Sequence, residues 1–140
     1  MALFGAPVAH SDDARRAIAC GLHMIRRNDE YNRDRKTKGL EPLVIGIGIH
    51  TGEAVVGTIG AREKMEYTAI GNTVNVSARV EGENKKYNSR MLVTEDTYKL
   101  VREDAEAELA GYAELKGIDE PVPLYRIVKL KGGASCSLGS

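Results

Sequence analysis

An asparagine and an arginine four residues apart are the side chains of this chain that are best suited to chemistry. Asn75 and Arg79 follow shortly after Gly71 in a segment of mostly small and apolar residues. In a helix, residues at this spacing lie on one face, about one turn apart. An amide beside the fork of guanidinium donors suits a sugar oxygen and a phosphate oxygen better than it suits a protein core. The pair therefore indicates contacts with a phosphate and a sugar, although most polar pairs at this spacing are simply solvated.

A lysine near the C-terminal end is a further candidate. Lys116 precedes Gly117, and we expect it to end a strand beside a glycine turn. At that position an ammonium group can reach a phosphate. The alternative is an ordinary solvated lysine, whose charged end lies in water.

The elements that position these residues are predicted from the spacing of apolar residues. Helices are expected from Asp12 or Asp13 to about Arg35, from Asn72 as the N-cap residue to about Lys86, and over Glu95–Val101. Strands are expected at Met1–Gly5, Leu43–His50, Ala54–Ile59, Met65–Ile70, Met91–Thr94, Glu108–Lys116 and Val122–Lys129.

Two of these strands, Leu43–His50 and Ala54–Ile59, are expected to pair as a hairpin across the turn at residues 51–53. The irregular alternation of helices and strands predicts an α+β sandwich. We expect one domain over residues 1–130 and a flexible tail, or a linker left from cloning, over residues 131–140.

The composition argues against several classes of protein. The 20 Lys and Arg residues balance the 20 Asp and Glu residues, which leaves no excess positive charge for binding nucleic acid. The chain has no Trp and one Phe, so a platform for stacking bases is not expected. No signal peptide and no apolar run long enough to cross a bilayer is present. We therefore expect a cytoplasmic segment that contacts neither nucleic acid nor a membrane.

Other candidate motifs carry little weight. Gly46 and Gly48 begin a pattern typical of dinucleotide-binding loops, but Thr51 occupies the place of the third glycine. His50 ends an apolar strand, where a structural role is more common than a role as ligand or base. The sequence has no cluster of His, Cys, Asp or Glu with the spacing of metal ligands.

Several ordered motifs resemble the class III adenylyl and guanylyl cyclase catalytic domain. The resemblance extends from Met1 to about Val128, which is nearly the whole chain. It implies a ferredoxin-like sandwich of the cyclase type that is truncated at its N-terminus. The motifs are Met1–Pro7, Gly46–Gly52, Val56–Gly57, Tyr67–Arg79, Leu115–Gly117 and Glu120–Val122.

The resemblance also implies a reaction and a set of roles. Such enzymes convert a nucleoside triphosphate to a cyclic nucleotide and pyrophosphate, by attack of the ribose 3′-hydroxyl on the α-phosphate between two divalent ions. Asn75 would hold the ribose, Arg79 would stabilise charge on the α-phosphoryl group, and Lys116 would contact the terminal phosphates. Thr68 and the backbone at Ile70 would contact the purine. A small hydroxyl at Thr68 resembles bacterial adenylyl cyclases, which favours ATP over GTP.

The resemblance has one departure with consequences for activity. The two metal-binding aspartates of the family, and its purine-selecting lysine, would lie upstream of Met1. Mg²⁺ or Mn²⁺ is therefore expected in the complete domain, with ligands absent from this chain. Since family sites form between two subunits, we expect a homodimer of cyclase domains, and we expect this chain alone to be inactive.

Two alternatives remain open. The chain could be a non-catalytic module of the same fold that binds nucleotide or regulates a partner. It could also be an unrelated ferredoxin-like domain, which would leave the ordered motifs unexplained. The presence of Asn75, Arg79 and Lys116 together favours the enzyme.

Overall fold

The fold combines one mixed sheet, a separate hairpin and three helices. In a computed structural model, which describes residues 1–61 and 63–132, the mixed α+β class predicted from the sequence is confirmed. Of the expected tail, residues 133–140 lie outside the described residues. The elements in chain order are α1 (Asp13–Thr37), β1 (Ile47–Ile49), β2 (Val55–Ala61), β3 (Lys64–Ile70), α2 (Asn72–Glu83), β4 (Met91–Thr94), α3 (Glu95–Val101), β5 (Ala105–Ala113) and β6 (Val122–Leu130).

Four strands form the main sheet, in the order β1-β4-β6-β5. Strand β1 is parallel to β4, whereas β4, β6 and β5 pair antiparallel. Within the described residues, strands β2 and β3 pair with each other and with no other strand, as an antiparallel hairpin inserted between β1 and α2. The hairpin therefore stands apart from the sheet on which the core is built.

The helices cover both faces of the main sheet. Successive residues of a strand point to opposite faces, and β4 shows this directly. Met91 and Val93 pack in one apolar cluster with α1 and α3, while Leu92 packs in a second cluster with Val76 and Val80 of α2. All five side chains are at least 97% buried, and full burial of such a side chain stabilises the fold by about 1.5–3 kcal/mol.

A glycine allows α2 to approach the sheet closely. A Cβ at Gly48 would lie 2.2 Å from the backbone nitrogen of Glu81 and 2.5 Å from the carbonyl oxygen of Ser77. The backbone of α2 thus packs directly against β1. Asn84, at the C-terminal end of α2, donates from Nδ2 to the Ile47 carbonyl at 2.9 Å and fixes this contact.

The predicted hairpin between Leu43–His50 and Ala54–Ile59 is wrong. Ile47–Ile49 pairs with β4, and the strand that follows pairs with β3. Parallel pairing needs a long crossover, and here the crossover contains the β2–β3 hairpin and α2. The close approach at Gly48 keeps β1 under α2, so β1 lies in the main sheet and the chain leaves that sheet after His50.

Three smaller expectations also differ from the structure. The strand expected at Met1–Gly5 does not form, because this segment has no ladder partner among the described residues. The N-cap of α2 is Gly71 and not Asn72, because Asn72 is already helical. Gly71 has a φ of +136°, a conformation that glycine adopts without the steric cost of a side chain. Strand β5 ends at Ala113, so Lys116 lies in the turn that follows it.

We expect Gly48→Ala to destabilise the fold, by about 1–3 kcal/mol or more, because overpacking against a backbone cannot be relieved by a side-chain rotation. Gly57→Ala is the matched control, since a Cβ at Gly57 would meet nothing within 4 Å. Urea unfolding followed by circular dichroism measures both free energies of unfolding. Equal stabilities for the two variants would contradict the close packing of α2 on β1.

Candidate functional site

The site is built around one exposed edge of α2. Val76 and Val80 anchor the helix in the core, being 1% and 0% exposed. Asn75 and Arg79 lie on the neighbouring face, Asn75 exposed and Arg79 half-buried. The amphipathic pattern of α2 therefore holds both polar side chains at the boundary between core and solvent, as their spacing predicts.

Arg79 contacts the turn that follows β5. Its Nη1 donates a hydrogen bond to the carbonyl oxygen of Lys116. Lys116 itself is exposed, and a cleft of about 390 Å³ lined by residues 114–121 opens at the same turn. The structure thus brings the Arg79 guanidinium to the backbone of Lys116, a residue from a distant part of the chain.

Thr68 and Ile70 lie on β3, immediately before α2. Thr68 is half-buried and faces Gly57 across the hairpin, while Ile70 is exposed and faces Val55. No hydrogen bond joins either residue to Asn75 or Arg79 within the described ranges. The structure therefore places the two residues on the element adjoining α2, without a hydrogen bond to the polar pair.

Three side-chain hydrogen bonds hold the connection between β1 and the hairpin. His50 Nδ1 lies 2.9 Å from Thr94 Oγ1, and Thr51 Oγ1 lies 2.9 Å from Thr97 Oγ1. Thr73 of α2 donates from Oγ1 to the Glu53 carbonyl at 2.5 Å. These bonds connect residues 50–53 to β4, α3 and α2, and they fix where the hairpin leaves the body of the domain.

His50 has a structural environment. Burial lowers the pKa of its imidazole below 6.5, and the nearby carboxylate of Asp96 opposes this shift. Thr94, its hydrogen-bond partner, is fully buried. The imidazole is therefore held neutral and packed, in keeping with the structural role expected for it.

The described residues do not form a metal site. Across residues 1–61 and 63–132, no three His, Cys, Asp or Glu side chains come together in a way that could hold a metal ion. The donor set around Arg79 and Lys116 is cationic, which does not suit a divalent cation. No step of the chemistry is therefore assigned to an ion held by these residues.

Sequence reasoning missed part of the surroundings of Arg79. A Cβ at Gly117 would lie 3.4 Å from Asn72 Oδ1 and 3.8 Å from Arg79 Nη1, so Asn72 is a neighbour of the turn and not a helix cap. The succession of lysine and glycine is the sequence signal of such a turn. That it meets Arg79 is a tertiary contact with no local signal.

No helix among the described residues is long and apolar enough to span a bilayer.

The model of the adenylate and guanylate cyclase catalytic domain family matches residues 1–129. Adenylate cyclase 1 of Rhizobium meliloti (strain 1021) is 36% identical over 127 residues, which are 91% of this chain and 19% of that protein. The adenylate cyclase of Anabaena cylindrica is 34% identical over 119 residues, covering 77% of this chain and 24% of the relative. The match thus spans about a fifth to a quarter of these curated relatives.

Solved structures agree with the sequence relatives. The adenylyl cyclase CyaB from P. aeruginosa matches with a TM-score of 0.81 and 28% identity, over 92% of this chain and 66% of that one. The guanylyl cyclase Cya2 matches with a TM-score of 0.80 and 33% identity, over 97% and 68% of the two chains. The chain belongs to the adenylate and guanylate cyclase catalytic domain family. The resemblance and the fold class predicted from the sequence are confirmed.

The lowered pKa of His50 predicts a pH dependence of stability. Well above pH 6.5 the imidazole is neutral in both the folded and the unfolded chain, and its contribution to the free energy of unfolding is fully present. As the pH falls below 6.5, the unfolded chain binds a proton that the folded chain does not, so the free energy of unfolding decreases until the folded pKa is passed.

We expect His50→Asn to flatten this dependence, because the amide does not titrate and can take the place of Nδ1 in the hydrogen bond to Thr94. Urea unfolding of both proteins from pH 8 to pH 5 measures the two slopes. Identical slopes would show that His50 does not contribute.

Proposed function

We propose that this chain supplies the ribose- and phosphate-binding half of an adenylate cyclase active site. The observation that supports the proposal is the hydrogen bond from Arg79 to the backbone carbonyl of Lys116, which joins the helix of the candidate arginine to the turn of the candidate lysine. Lys116 also lines the cleft at this turn, and a guanidinium and an ammonium from adjoining elements are suited to a polyphosphate.

The reaction assigns a separate task to each residue. The ribose 3′-oxygen forms a bond to the α-phosphorus, its proton passes to solvent, and the bond between the α-phosphorus and the pyrophosphate oxygen breaks. The Asn75 amide orients the ribose, and the Arg79 guanidinium stabilises the negative charge that develops on the α-phosphoryl oxygens. The Lys116 ammonium contacts the terminal phosphates and the departing pyrophosphate.

The choice of ATP rests on Thr68 and on the relatives. A threonine hydroxyl can contact the adenine edge, and the backbone at Ile70 lies on the same strand. Two relatives at 36% and 34% identity are named adenylate cyclases. Because the guanylyl cyclase Cya2 is 33% identical to this chain, GTP is the alternative substrate. The complementation assay therefore compares both nucleotides.

The partner is a second cyclase domain, which would also supply carboxylates for Mg²⁺ or Mn²⁺ that the described residues do not provide. The β2–β3 hairpin is the proposed contact surface, because within the described ranges its strands pair with no other strand and it carries exposed apolar side chains on both faces. Val55, Ile59 and Ile70 share one face, Met65 and Tyr67 share the other, and the five are between 39% and 67% exposed. Apolar exposure of this extent is typical of protein interfaces.

The division of the site between two domains predicts complementation. The chain is mixed with a homologous adenylate cyclase domain that keeps its metal-binding carboxylates but carries alanine in place of its own catalytic arginine. We expect neither protein alone to form cyclic nucleotide with Mn²⁺, and the mixture to form more cyclic AMP from ATP than cyclic GMP from GTP.

Arg79→Ala is expected to lower the activity of this mixture by about 10²-fold or more, as for the loss of a preorganised donor to a developing oxyanion. Arg126→Ala is the matched control. Arg126 also donates to a backbone carbonyl, that of Tyr87 at 2.8 Å, but it lies on β6. The Arg126→Ala variant should be less stable than the unchanged chain, and its mixture should keep its activity. Full activity in the Arg79→Ala mixture would contradict the proposal and favour a non-catalytic module.

The hairpin surface predicts the effect of a charge on association. Tyr67→Glu should weaken the binding of two cyclase domains by tenfold or more, since aromatic anchors contribute about 2 kcal/mol or more to such interfaces. Leu100→Glu is the control, because Leu100 is 62% exposed on α3, away from the hairpin. Sedimentation velocity over a range of concentrations measures both. Equal weakening, or none, would reject the hairpin as the interface.

A further inference from the structure

The segment that accepts the hydrogen bond from Arg79 is a β-turn of defined type. The Ile118 N–H donates to the Leu115 carbonyl at 3.0 Å, which closes a four-residue turn. Gly117, the third residue, has φ +89°, and Lys116, the second, is not among the residues with positive φ. A negative φ followed by a φ near +80° is the signature of a type II turn.

The turn type decides where the Lys116 carbonyl points. Types I and II differ by rotation of the central peptide: ψ of the second residue changes from about −30° to about +120°, and φ of the third changes from about −90° to about +80°. The carbonyl of this central peptide belongs to Lys116, and it accepts the hydrogen bond from Arg79. In a type I turn the same carbonyl would face the opposite side, away from Arg79.

Space around Gly117 is not limiting. A Cβ there would be in ordinary van der Waals contact, 3.4 Å from Asn72 Oδ1 and 3.8 Å from Arg79 Nη1. What excludes other L-residues is the backbone, since positive φ is unfavourable for all except glycine and, to a smaller extent, asparagine and aspartate. A substitution at 117 therefore changes the preferred turn type without forcing a collision.

We propose that Gly117 is a positioning residue for Arg79, acting through the orientation of the Lys116 carbonyl. The catalytic part of this inference rests on the proposed function. Lys116 supplies both the carbonyl that holds Arg79 and the ammonium directed at the phosphates. The position of the Arg79 guanidinium therefore depends on the peptide plane between Lys116 and Gly117.

The test compares three variants in the complementation assay. Gly117→Ala should lower kcat/KM by about 10²-fold, the cost of misplacing a catalytic group by about 1 Å. Gly39→Ala is matched for strain, with φ +69° and nothing within 4 Å of the added Cβ. It should show a similar fall in Tm with activity close to that of the unchanged chain. Gly117→Asn should recover most of the activity, because asparagine tolerates positive φ.

A second measurement does not depend on activity. The Nη1–H resonance of Arg79, assigned with Arg79→Lys, is followed in ¹⁵N spectra of the chain, because Nη1 is the donor to the Lys116 carbonyl. Gly117→Ala should shift it and speed its exchange with water, because the guanidinium loses its acceptor, whereas Gly39→Ala should leave it unchanged.

The outcomes separate the two proposals. An unchanged Arg79 resonance in Gly117→Ala, or equal activities of Gly117→Ala and Gly39→Ala beside an inactive Arg79→Ala, would overturn the role of Gly117. Full activity of Arg79→Ala would instead reject the proposed function, and the resonance would still decide whether Gly117 positions Arg79.

Discussion

The close packing of α2 on β1 is the constraint on which the rest of the structure depends. At Gly48 the helix backbone lies against the strand with no side chain between them. Val76 and Val80 then fit over Leu92 and Leu124, and Arg79 is left half-buried at the edge of the helix. A wider separation would lift the helix from the sheet and move its guanidinium away from the turn after β5.

The two cations of the candidate site differ in mobility. Arg79 is a planar group at the edge of the core with a fixed acceptor, so few of its rotamers remain to be lost when a ligand binds. Lys116 is exposed, and its ammonium ends a flexible stem. In the proposed reaction, Arg79 would be a fixed donor to the α-phosphoryl oxygens, and Lys116 would be a mobile donor to the pyrophosphate that leaves.

Local patterns were sufficient to predict much of the fold. Met91–Thr94 and Glu95–Val101 have the predicted bounds, because a short apolar run and an acidic helix start are local signals. The pairing of β1 was missed, since a parallel ladder between Ile47 and Met91 depends on a crossover that local sequence does not encode. The spacing of Asn75 and Arg79 predicted that they share one helix face. The hydrogen bond from Arg79 to Lys116 joins residues 37 positions apart, and no local pattern predicts such a contact. Turn type and carbonyl direction could be recognised only once the structure gave Gly117 a φ of +89°.

The separation of the hairpin from the main sheet has an evolutionary consequence. Thr68, the proposed base-contacting position, faces Gly57 across the ladder, and a Cβ at Gly57 would touch nothing within 4 Å. Side chains at this pair can change size and polarity with little effect on the apolar clusters around β4. Under the proposed function Thr68 would contact the base, so a change of substrate preference at this pair would cost the fold little stability. The hairpin thus separates the part of the chain that would meet the purine from the part that carries the core.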